Sequence, residues 1–329
     1  MSRTARIATT AGAFVAAGVA ATVLNDRHRT ARRRRRGEDV EFGSVRSARR
    51  HVVASDGVVL NVEVEEAEDP AATVVFLHGW VETMDLWHYQ RLALRGTVRM
   101  VFVDLRSHGK SGRAHHTASS IRHLGDDLAT VLDQLVPEGP VVLVGHSMGG
   151  MTIMELAGEH PEWFGERVQG VVLASTSSGR LMRSSPGLRY LVPLLRVGAP
   201  ALEWGRRFNS YSVIRRWGLG PYAQERHVDM ANEMLLEAPS HVLMDFYPNF
   251  VDLDLTRGLE AMGRARTVVI GGTADLLTPV RHSRRLADAI PDAKLVVLEH
   301  VGHMSPFEAH ETVTRAIEDV LGDLPGAAQ

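Results

Sequence analysis

The sequence predicts an α/β fold, in which a mostly parallel β-sheet is covered by helices on both faces. Two observations support this class. First, short continuous apolar segments, typical of buried strands, recur at 73–77, 99–103, 141–144, 170–173, 267–270 and 294–298. Second, helical patterns separate most of them, at 84–94, 119–135, 151–159, 280–289 and 307–321. Two further strands, 51–54 and 58–64, flank Ser55-Asp56-Gly57, which indicates a hairpin.

Composition excludes several classes of protein. With 44% hydrophobic and 23% charged residues, the chain resembles an ordinary soluble globular protein that builds its core without cross-links. It has no cysteine, so it has neither disulfides nor cysteine-ligated metal sites. Residues 1–50 carry 12 arginines against four acidic residues, whereas the whole chain has a net charge of -2. The remainder is therefore acidic, which argues against nucleic-acid binding.

The N-terminal segment 7–24 is apolar, rich in small residues and uncharged. Its length is at the lower edge of what spans a bilayer, and arginines flank it on both sides, with the heavier cluster at 32–36. We favour membrane association through residues 7–36, with a cytoplasmic catalytic body and arginines that contact anionic headgroups. The alternatives are a cleaved signal peptide, which means export, and a tail of a soluble cytoplasmic protein.

The interval 177–266 contains no convincing strand and many aromatic residues and prolines. It predicts a helical cap, or lid, inserted over the strand ends, with an ordinary helical subdomain as the alternative. The predicted organisation is an apolar segment and arginine-rich linker at 1–48, a core at 49–176 and 267–329, and the cap at 177–266. The folded body is expected to begin near residue 49.

The central motif is Gly145-His146-Ser147-Met148-Gly149, between an apolar strand and a helical pattern. A strand that turns so sharply into a helix holds Ser147 at the apex in a strained backbone conformation. Side chains at Gly145 and Gly149 would collide across the turn. The amides at the start of the helix favour negative charge beside the serine.

Together with the Ser147 motif, four further motifs resemble, in their order along the chain, those of a serine α/β-hydrolase with a helical cap, over about residues 49–321. Besides the Ser147 motif, they are Phe76-Leu77-His78-Gly79-Trp80, Asp104-Leu105-Arg106-Ser107-His108-Gly109-Lys110-Ser111-Gly112, Gly271-Gly272-Thr273-Ala274-Asp275 and His300-Val301-Gly302-His303. In the second of these, Ser107 replaces the family's usual glycine. We interpret that segment as structural, with Asp104 and Arg106 bonded to nearby loops and no catalytic role for His108.

The resemblance implies Ser147 as nucleophile, His303 as base and Asp275 as the acid that orients the base. The nearby His300 is the residue most easily confused with His303, and Ser175-Thr176-Ser177-Ser178 offers no rival carboxylate. The resemblance also implies an oxyanion hole made by two backbone amides. The two amides are those of Trp80 and Met148. The supporting positions, in the turn and at the strand ends, are His78, Gly79, Gly145, His146 and Gly149.

The expected chemistry is hydrolysis of a carboxylic ester with an apolar or lipid-like acyl group through an acyl-enzyme. No metal or organic cofactor is expected, and His115-His116 is interpreted as a loop. The same residues would serve a carbon–carbon bond, thioester or amide hydrolase, or a cofactor-free haloperoxidase. Dehalogenases and epoxide hydrolases of similar fold use aspartate at the position of Ser147. A non-catalytic binding protein is the remaining alternative.

Overall fold

The structure, a computed structural model, describes residues 40–68, 70–181 and 210–324. The predicted membrane segment 7–36 and residues 182–209 of the predicted cap lie outside these ranges. Among the described helices, none is both long and apolar enough to cross a bilayer.

Eight strands form one sheet in the order β1-β2-β4-β3-β5-β6-β7-β8. β2 is antiparallel to both β1 and β4, and all other neighbours are parallel. The mostly parallel sheet predicted from the apolar segments is therefore confirmed. The strands are β1 Ala48–Val53, β2 Val59–Glu65, β3 Thr73–Leu77, β4 Arg99–Val103, β5 Val141–His146, β6 Val168–Ala174, β7 Arg266–Gly272 and β8 Lys294–Leu298.

Helices cover both faces of the sheet, as predicted. They are α1 His88–Leu94, α2 Ile121–Leu135, α3 Met148–Glu159, α4 Glu225–Glu237, α5 Ser240–Phe246, α6 Leu259–Met262, α7 Arg281–Ala289, α8 Ser305–Glu308 and α9 His310–Gly322. Because successive strand residues point to opposite faces, Leu143 packs with α2 and α3 in one core cluster. Val142 and Val144 pack in a second cluster with Ile317 of α9.

Strand register brings the predicted motifs to one edge of the sheet. Leu77 of β3 lies opposite Gly145 of β5, so the His78-Gly79 loop begins beside the turn that contains Ser147. Gly272 of β7 lies opposite Leu298 of β8, so the loops that follow these two strands also begin side by side. All of these loops leave the carboxyl ends of parallel strands, where α/β proteins place their sites.

Three predicted helices differ in detail from the observed ones. The helix predicted at 84–94 begins as a 3-10 turn, Met84–Trp87, before α1. The helix predicted at 307–321 is divided into α8 and α9 by Ala309, whose φ of −130° is not helical. The helix predicted from 151 starts earlier, at Met148, directly after the strained serine.

The folded body begins before residue 49, contrary to the predicted linker. The ring of Phe42 packs edge-on against Phe307 with centroids 6.0 Å apart, and Arg46 donates to Asp85 over 2.9 Å. The prediction weighed the polar, glycine-containing composition of residues 37–47 and overlooked one partly buried aromatic side chain.

Between β6 and β7 the described residues are mainly helical, with turns of helix at 210–217 followed by α4, α5 and α6. In the described parts of this interval the extended pairing is an isolated bridge between Gly179 and Asp254. Val242 and Phe246 of α5 belong to the same apolar cluster as Met148 and Met151 of α3. The inserted segment therefore shares the core of the sheet domain; the division of the chain into core and cap domains stays a prediction.

Candidate active site

Ser147 lies at the apex of the turn between β5 and α3, with φ 49° and ψ −114°. Non-glycine residues rarely adopt this conformation, and it persists only where neighbouring groups impose it. The Ser147 amide donates to the Ala174 carbonyl over 3.0 Å, and the Thr176 hydroxyl donates to the Ser147 carbonyl over 2.6 Å. Both ends of the strained residue are therefore held by β6 and the loop that follows it.

The glycines around Ser147 are required by close backbone contacts. A Cβ atom on Gly145 would lie 2.6 Å from the amide nitrogen of Gly150. A Cβ atom on Gly149 would lie 2.2 Å from the carbonyl oxygen of Leu77. Because the opposing atoms belong to the backbone, no rotamer change relieves either contact, which gives the physical reason for the glycines of the motif.

Asp275 and His303 meet in the buried interior beside this turn. The Oδ2 atom of Asp275 lies 2.9 Å from the Nδ1 atom of His303, and both side chains are almost inaccessible to solvent. The Oδ1 atom of Asp275 accepts from the amides of Leu277 and Thr278 over 2.8 Å each, while Oδ2 also accepts from the Thr278 hydroxyl over 2.7 Å. Four hydrogen bonds thus orient the carboxylate toward the imidazole.

These contacts shift both pKa values in the direction that favours an ion pair. Burial would raise the pKa of Asp275, but the charge and hydrogen bond of His303 and the donors of Thr278 outweigh it and lower the pKa. Burial would lower the pKa of His303, but the charge and hydrogen bond of Asp275, with the charges of Glu82 and Glu308, raise it. Because the ionised Asp275 accepts a hydrogen bond from the Nδ1–H group of His303, neutral His303 keeps Nε2 free as a base.

His146 connects the His303 loop to the Ser147 turn. The ring centroids of His146 and His303 are 4.8 Å apart, and the Nε2 atom of His146 lies 2.9 Å from the His303 carbonyl oxygen. His146 immediately precedes Ser147, so the three predicted catalytic residues come from adjoining loops. Within the described structure the Ser147 hydroxyl makes no hydrogen bond with the His303 ring, so the proton-transfer contact stays a prediction.

Two amides were predicted to bind an oxyanion. Met148 is the first residue of α3, where amides have no acceptor within the helix. The Trp80 amide shares a peptide unit with the Gly79 carbonyl, which points the opposite way. The Nε2 atom of His78 accepts from the Leu105 amide over 3.0 Å, so its Nδ1–H donates to the Gly79 carbonyl over 2.7 Å. The buried His78, whose pKa is lowered mainly by desolvation, thereby orients the Trp80 amide.

The indole of Trp80 faces the inserted helices. Its Nε1–H donates to the Val242 carbonyl of α5 over 3.3 Å. Its ring lies 5.2 Å from the ring of Phe250 and 6.5 Å from that of Tyr247. The residue after the His-Gly dipeptide therefore contacts the inserted helices with its side chain while its amide belongs to the predicted oxyanion hole.

The Asp104–Gly112 segment is structural, as expected. Asp104 accepts from the Met84 and Lys110 amides, and Arg106 pairs with Asp127 over 2.6 Å. Ser107 has φ 67°, a conformation that explains why glycine would suit this position. The Nδ1 atom of His108 lies 2.9 Å from the Arg106 carbonyl oxygen, and desolvation by burial lowers the pKa of His108 to about 3. His300, the neighbour of His303 in sequence, is exposed and packs against Tyr222.

Two glutamates at the site, the buried Glu82 and the partly buried Glu308, were missed from the sequence. Glu82 accepts from the Gly79 amide and lies 3.0 Å from His146 Nδ1. Glu308 accepts from the amides of Gly220 and Gly302 over 2.7 and 3.0 Å. The sequence offered one weak signal for each glutamate, namely its closeness to a motif: Glu82 follows Gly79 by three residues and Glu308 follows His303 by five. Neither glutamate is part of a recognised motif, so local pattern gave no reason to single them out.

Glu308 belongs to a set of contacts between the inserted segment and the His303 loop. The amides of His303 and Met304 both donate to the Gly218 carbonyl, over 2.9 and 3.1 Å. A Cβ atom on Gly220 would lie 2.0 Å from the His300 carbonyl oxygen, so the two segments are in direct backbone contact. The loop that carries the predicted base is thus attached to the insertion as well as to the core.

The sheet order and the helices inserted after β6 define an α/β-hydrolase fold. A sequence model described as "Alpha/beta hydrolase family" matches residues 74–316. The chain belongs to this family, and it is therefore a member of a family of hydrolases whose specificity varies among relatives.

Similar proteins illustrate that variation. One is a 2-hydroxy-6-oxononadienedioate/2-hydroxy-6-oxononatrienedioate hydrolase of Cupriavidus pinatubonensis, 27% identical over 286 residues, or 83% of this chain and 95% of that protein. Another is a pimeloyl-acyl-carrier-protein methyl ester esterase of Aeromonas hydrophila, 25% identical over 263 residues, 76% of this chain and 95% of that protein. The solved structure of a thermophilic esterase from Thermogutta terrifontis superposes with a TM-score of 0.68 at 24% identity, covering 84% of this chain and 98% of that chain.

Proposed function

We propose that this protein is a serine hydrolase that cleaves carboxylic esters through an acyl-enzyme formed on Ser147. The observation that carries the proposal is the buried Asp275–His303 pair, 2.9 Å apart, in the loops that adjoin the strained Ser147 turn. An imidazole oriented by a carboxylate next to an activated hydroxyl is the arrangement that nucleophilic acyl transfer needs. The kinship with an ester-cleaving relative from Aeromonas hydrophila supports the same class of substrate.

The proposed reaction assigns one task to each group. Neutral His303 accepts the Ser147 proton at Nε2 as the serine oxygen attacks the ester carbonyl, and Asp275 stabilises the imidazolium that forms. The amides of Met148 and Trp80 donate to the developing oxyanion. The imidazolium then protonates the leaving alkoxide, which departs as an alcohol. A water molecule, deprotonated by His303, hydrolyses the acyl-enzyme in the same way and releases the acid.

An apolar acyl group suits the surroundings of the turn. Trp80, Tyr247 and Phe250 form an aromatic contact between the His-Gly loop and the insertion. Val242 and Phe246 continue the same apolar cluster to Met148. Because these described side chains are apolar, we expect aliphatic or aromatic acyl groups to be preferred over charged ones.

Active-site labelling tests the proposal. A fluorophosphonate should attach covalently to Ser147, as mapped by mass spectrometry, and nitrophenyl esters should give a burst of nitrophenol before steady turnover. Ser147→Ala should abolish both signals. Ser44→Ala, at an exposed serine of the N-terminal segment, is the matched control and should keep both. A folded wild-type protein that shows neither labelling nor turnover would refute the assignment.

Carbon–carbon bond hydrolysis is the second candidate, favoured by the similarity to the Cupriavidus pinatubonensis hydrolase. It would use the same site on a vinylogous diketone. Thioesters, amides and peroxide-dependent halogenation without a cofactor complete the alternatives for this site. Comparing kcat/KM of the wild type for an ester and for a dienoate diketone of similar size separates the candidates, with Ser147→Ala as the background for each.

Membrane association through residues 7–36 is the third part of the proposal. It rests on the uncharged apolar segment at 7–24 and on the arginines that flank it. A tether of this kind would bring the catalytic body to apolar esters dissolved in a bilayer.

A further inference from the structure

Glu82 and His146 form a second buried carboxylate–histidine pair, next to the Asp275–His303 pair. The Oε2 atom of Glu82 lies 3.0 Å from the Nδ1 atom of His146, whose Nε2 atom lies 2.9 Å from the carbonyl oxygen of His303. The side chain of His146 is 0% exposed and that of Glu82 is 8% exposed. The ring of His146 thus joins Glu82, 64 positions earlier in the chain, to His303, 157 positions later.

The hydrogen-bond partners of His146 determine how many protons the Glu82–His146 pair holds. A backbone carbonyl oxygen and a carboxylate oxygen only accept hydrogen bonds. Both ring nitrogens of His146 face such acceptors, and a neutral imidazole has a single N–H. The two contacts are both satisfied when the Glu82–His146 pair holds two protons, with a net charge of zero.

The carboxylate form of Glu82 is favoured by its other contacts. Its Oε2 atom also accepts from the Gly79 amide over 2.5 Å. Burial would raise the pKa of Glu82, but the charge and hydrogen bond of His146, followed by the charges of His303 and His78, outweigh it and lower the pKa. An Oε2 atom that accepts from both the Gly79 amide and the His146 ring leaves Nδ1 and Nε2 of His146 as the two donors of the pair.

This ion pair contacts all three loops of the proposed site. Glu82 holds the Gly79 amide, one peptide before the Trp80 amide of the predicted oxyanion hole. His146 is attached directly to Ser147. Its Nε2–H donates to the carbonyl of His303, and the His303 amide donates to the Gly218 carbonyl. We propose that Glu82, acting through a doubly protonated His146, is a positioning residue. It sets the relative positions of the Ser147 turn, the His78–Trp80 loop and the His303 loop.

The inference rests on the proposed function, because the three loops need a fixed relative position only if a hydroxyl, an imidazole and two amides act together. A misplacement of about 1 Å between such groups can reduce a rate about 100-fold without affecting substrate binding. Removing the charge of Glu82 leaves His146 with one N–H for two acceptors. One of the loops then loses its attachment, so the rate of acylation should fall while the affinity for substrate is retained.

A double-mutant cycle tests the coupling. Glu82→Gln preserves shape and removes the charge, and it should lower kcat for a nitrophenyl ester about 10- to 100-fold with little change in KM. His146→Gln should have a similar effect, and the double variant should be no worse than the poorer single variant, because the two residues act as one unit. Glu63→Gln is the matched control, since Glu63 is equally buried and pairs with Arg91 outside the site. It should retain the wild-type kcat.

Nuclear magnetic resonance provides a second readout that does not depend on the variants' stability. In the 15N-histidine-labelled wild type, His146 should show protons on both ring nitrogens, with the Nε2 proton adjacent to His303. A neutral His146 would overturn the proposal, as would a Glu82→Gln variant with wild-type kcat or losses that multiply in the double variant. If the wild type is inert to the fluorophosphonate, the proposed function fails and this inference fails with it. If the wild type reacts but the cycle shows no coupling, the inference fails alone.

Discussion

The carboxylate of Asp275 and the imidazole of His303 are 28 positions apart in the chain and 2.9 Å apart in the fold. β7 and β8 pair in parallel, and the loops that follow these two strands carry the two residues. The carboxylate is ionised and the pKa of His303 is raised, so His303 is the group that accepts the Ser147 proton in the proposed reaction.

Removal of the Asp275 charge should change both the rate and its pH dependence. The carboxylate raises the pKa of His303, and the base must be neutral to act, so in Asp275→Asn the acid limb of kcat/KM should move to lower pH. The rate itself should fall by up to about 10⁴-fold, as in comparable triads, because the tautomer of His303 is no longer set. Ester hydrolysis measured across pH checks both effects.

Asp127→Asn is the matched control for that experiment. Asp127 is a buried carboxylate that pairs with Arg106 outside the site, so its loss should affect stability without moving the acid limb. An Asp275→Asn variant with the wild-type rate would rule out Asp275 as the orienting acid.

Addition of one methyl group at Gly149 should disrupt the Ser147 turn. The new Cβ would lie 2.2 Å from the Leu77 carbonyl oxygen, so β3 and α3 would have to separate. Overpacking of this kind costs about 1–3 kcal/mol, and the activity should fall further because the His78-Gly79 loop begins at the same place. Gly322→Ala, where nothing lies within 4 Å, should match the wild type in both denaturant unfolding and turnover. Equal stability of the two variants would contradict the described contact.

Substitution of Glu308 should flatten the pH dependence of stability. Desolvation raises the pKa of Glu308 to about 7 from an ordinary 4.5, so the folded protein binds more protons between these values. The resulting stabilisation is complete below pH 4.5 and is lost as the pH rises through about 7. The effect is at most about 3 kcal/mol and smaller in practice, because the side chain is partly exposed.

Urea unfolding at about pH 5 and about pH 8 measures this contribution. The wild type should lose more stability between the two conditions than Glu308→Gln does. Glu318→Gln, at an exposed carboxylate of α9, should behave like the wild type. Identical pH dependence in all three proteins would show that Glu308 does not titrate in this range.

Deletion of residues 1–39 should separate membrane binding from catalysis. This boundary keeps Phe42 and Arg46, which pack on the folded body. The full chain should co-sediment with vesicles that contain anionic lipid, and the shortened chain should not, because the apolar segment and its arginines are removed. Replacement of the five arginines at 32–36 by glutamine distinguishes the charge contribution from the apolar one.

Turnover completes the test. Short soluble esters should be hydrolysed equally by the full and shortened chains. Across an ester series of increasing acyl length, a preference for long chains in vesicles should require residues 1–39. A shortened chain that still binds vesicles would place the membrane contact elsewhere.

The sheet class could be predicted because it depends on local patterns, and Ser147, Asp275 and His303 could be proposed because their motifs resemble those of a known family. An apolar segment followed by a small-residue turn and a helix specifies a strand end, and parallel strands bring their carboxyl ends to one edge. Asp104 and Arg106, interpreted as structural from the same resemblance, bond the Met84 amide and Asp127 respectively. In each case the evidence lay within about ten consecutive residues.

Glu82, Glu308 and the docking of Phe42 escaped prediction because each acts through a distant partner. Glu82 meets His146 across 64 positions, and Glu308 meets Gly220 across 88. Side-chain pairing over such separations is set by how loops pack, which no single-sequence periodicity encodes. The break at Ala309 was missed for a related reason, since the α8 residues alone are compatible with a continuous helix.

Trp80 links the His78–Trp80 loop to the insertion, because its indole donates to the Val242 carbonyl while its amide belongs to the predicted oxyanion hole. In families where caps diverge faster than cores, one would expect a cap to be exchangeable between relatives. Here a chimera that received a foreign cap would lose an anchor of the catalytic loop, so altered selectivity would come with slower chemistry unless the donor supplied a carbonyl at the place of Val242.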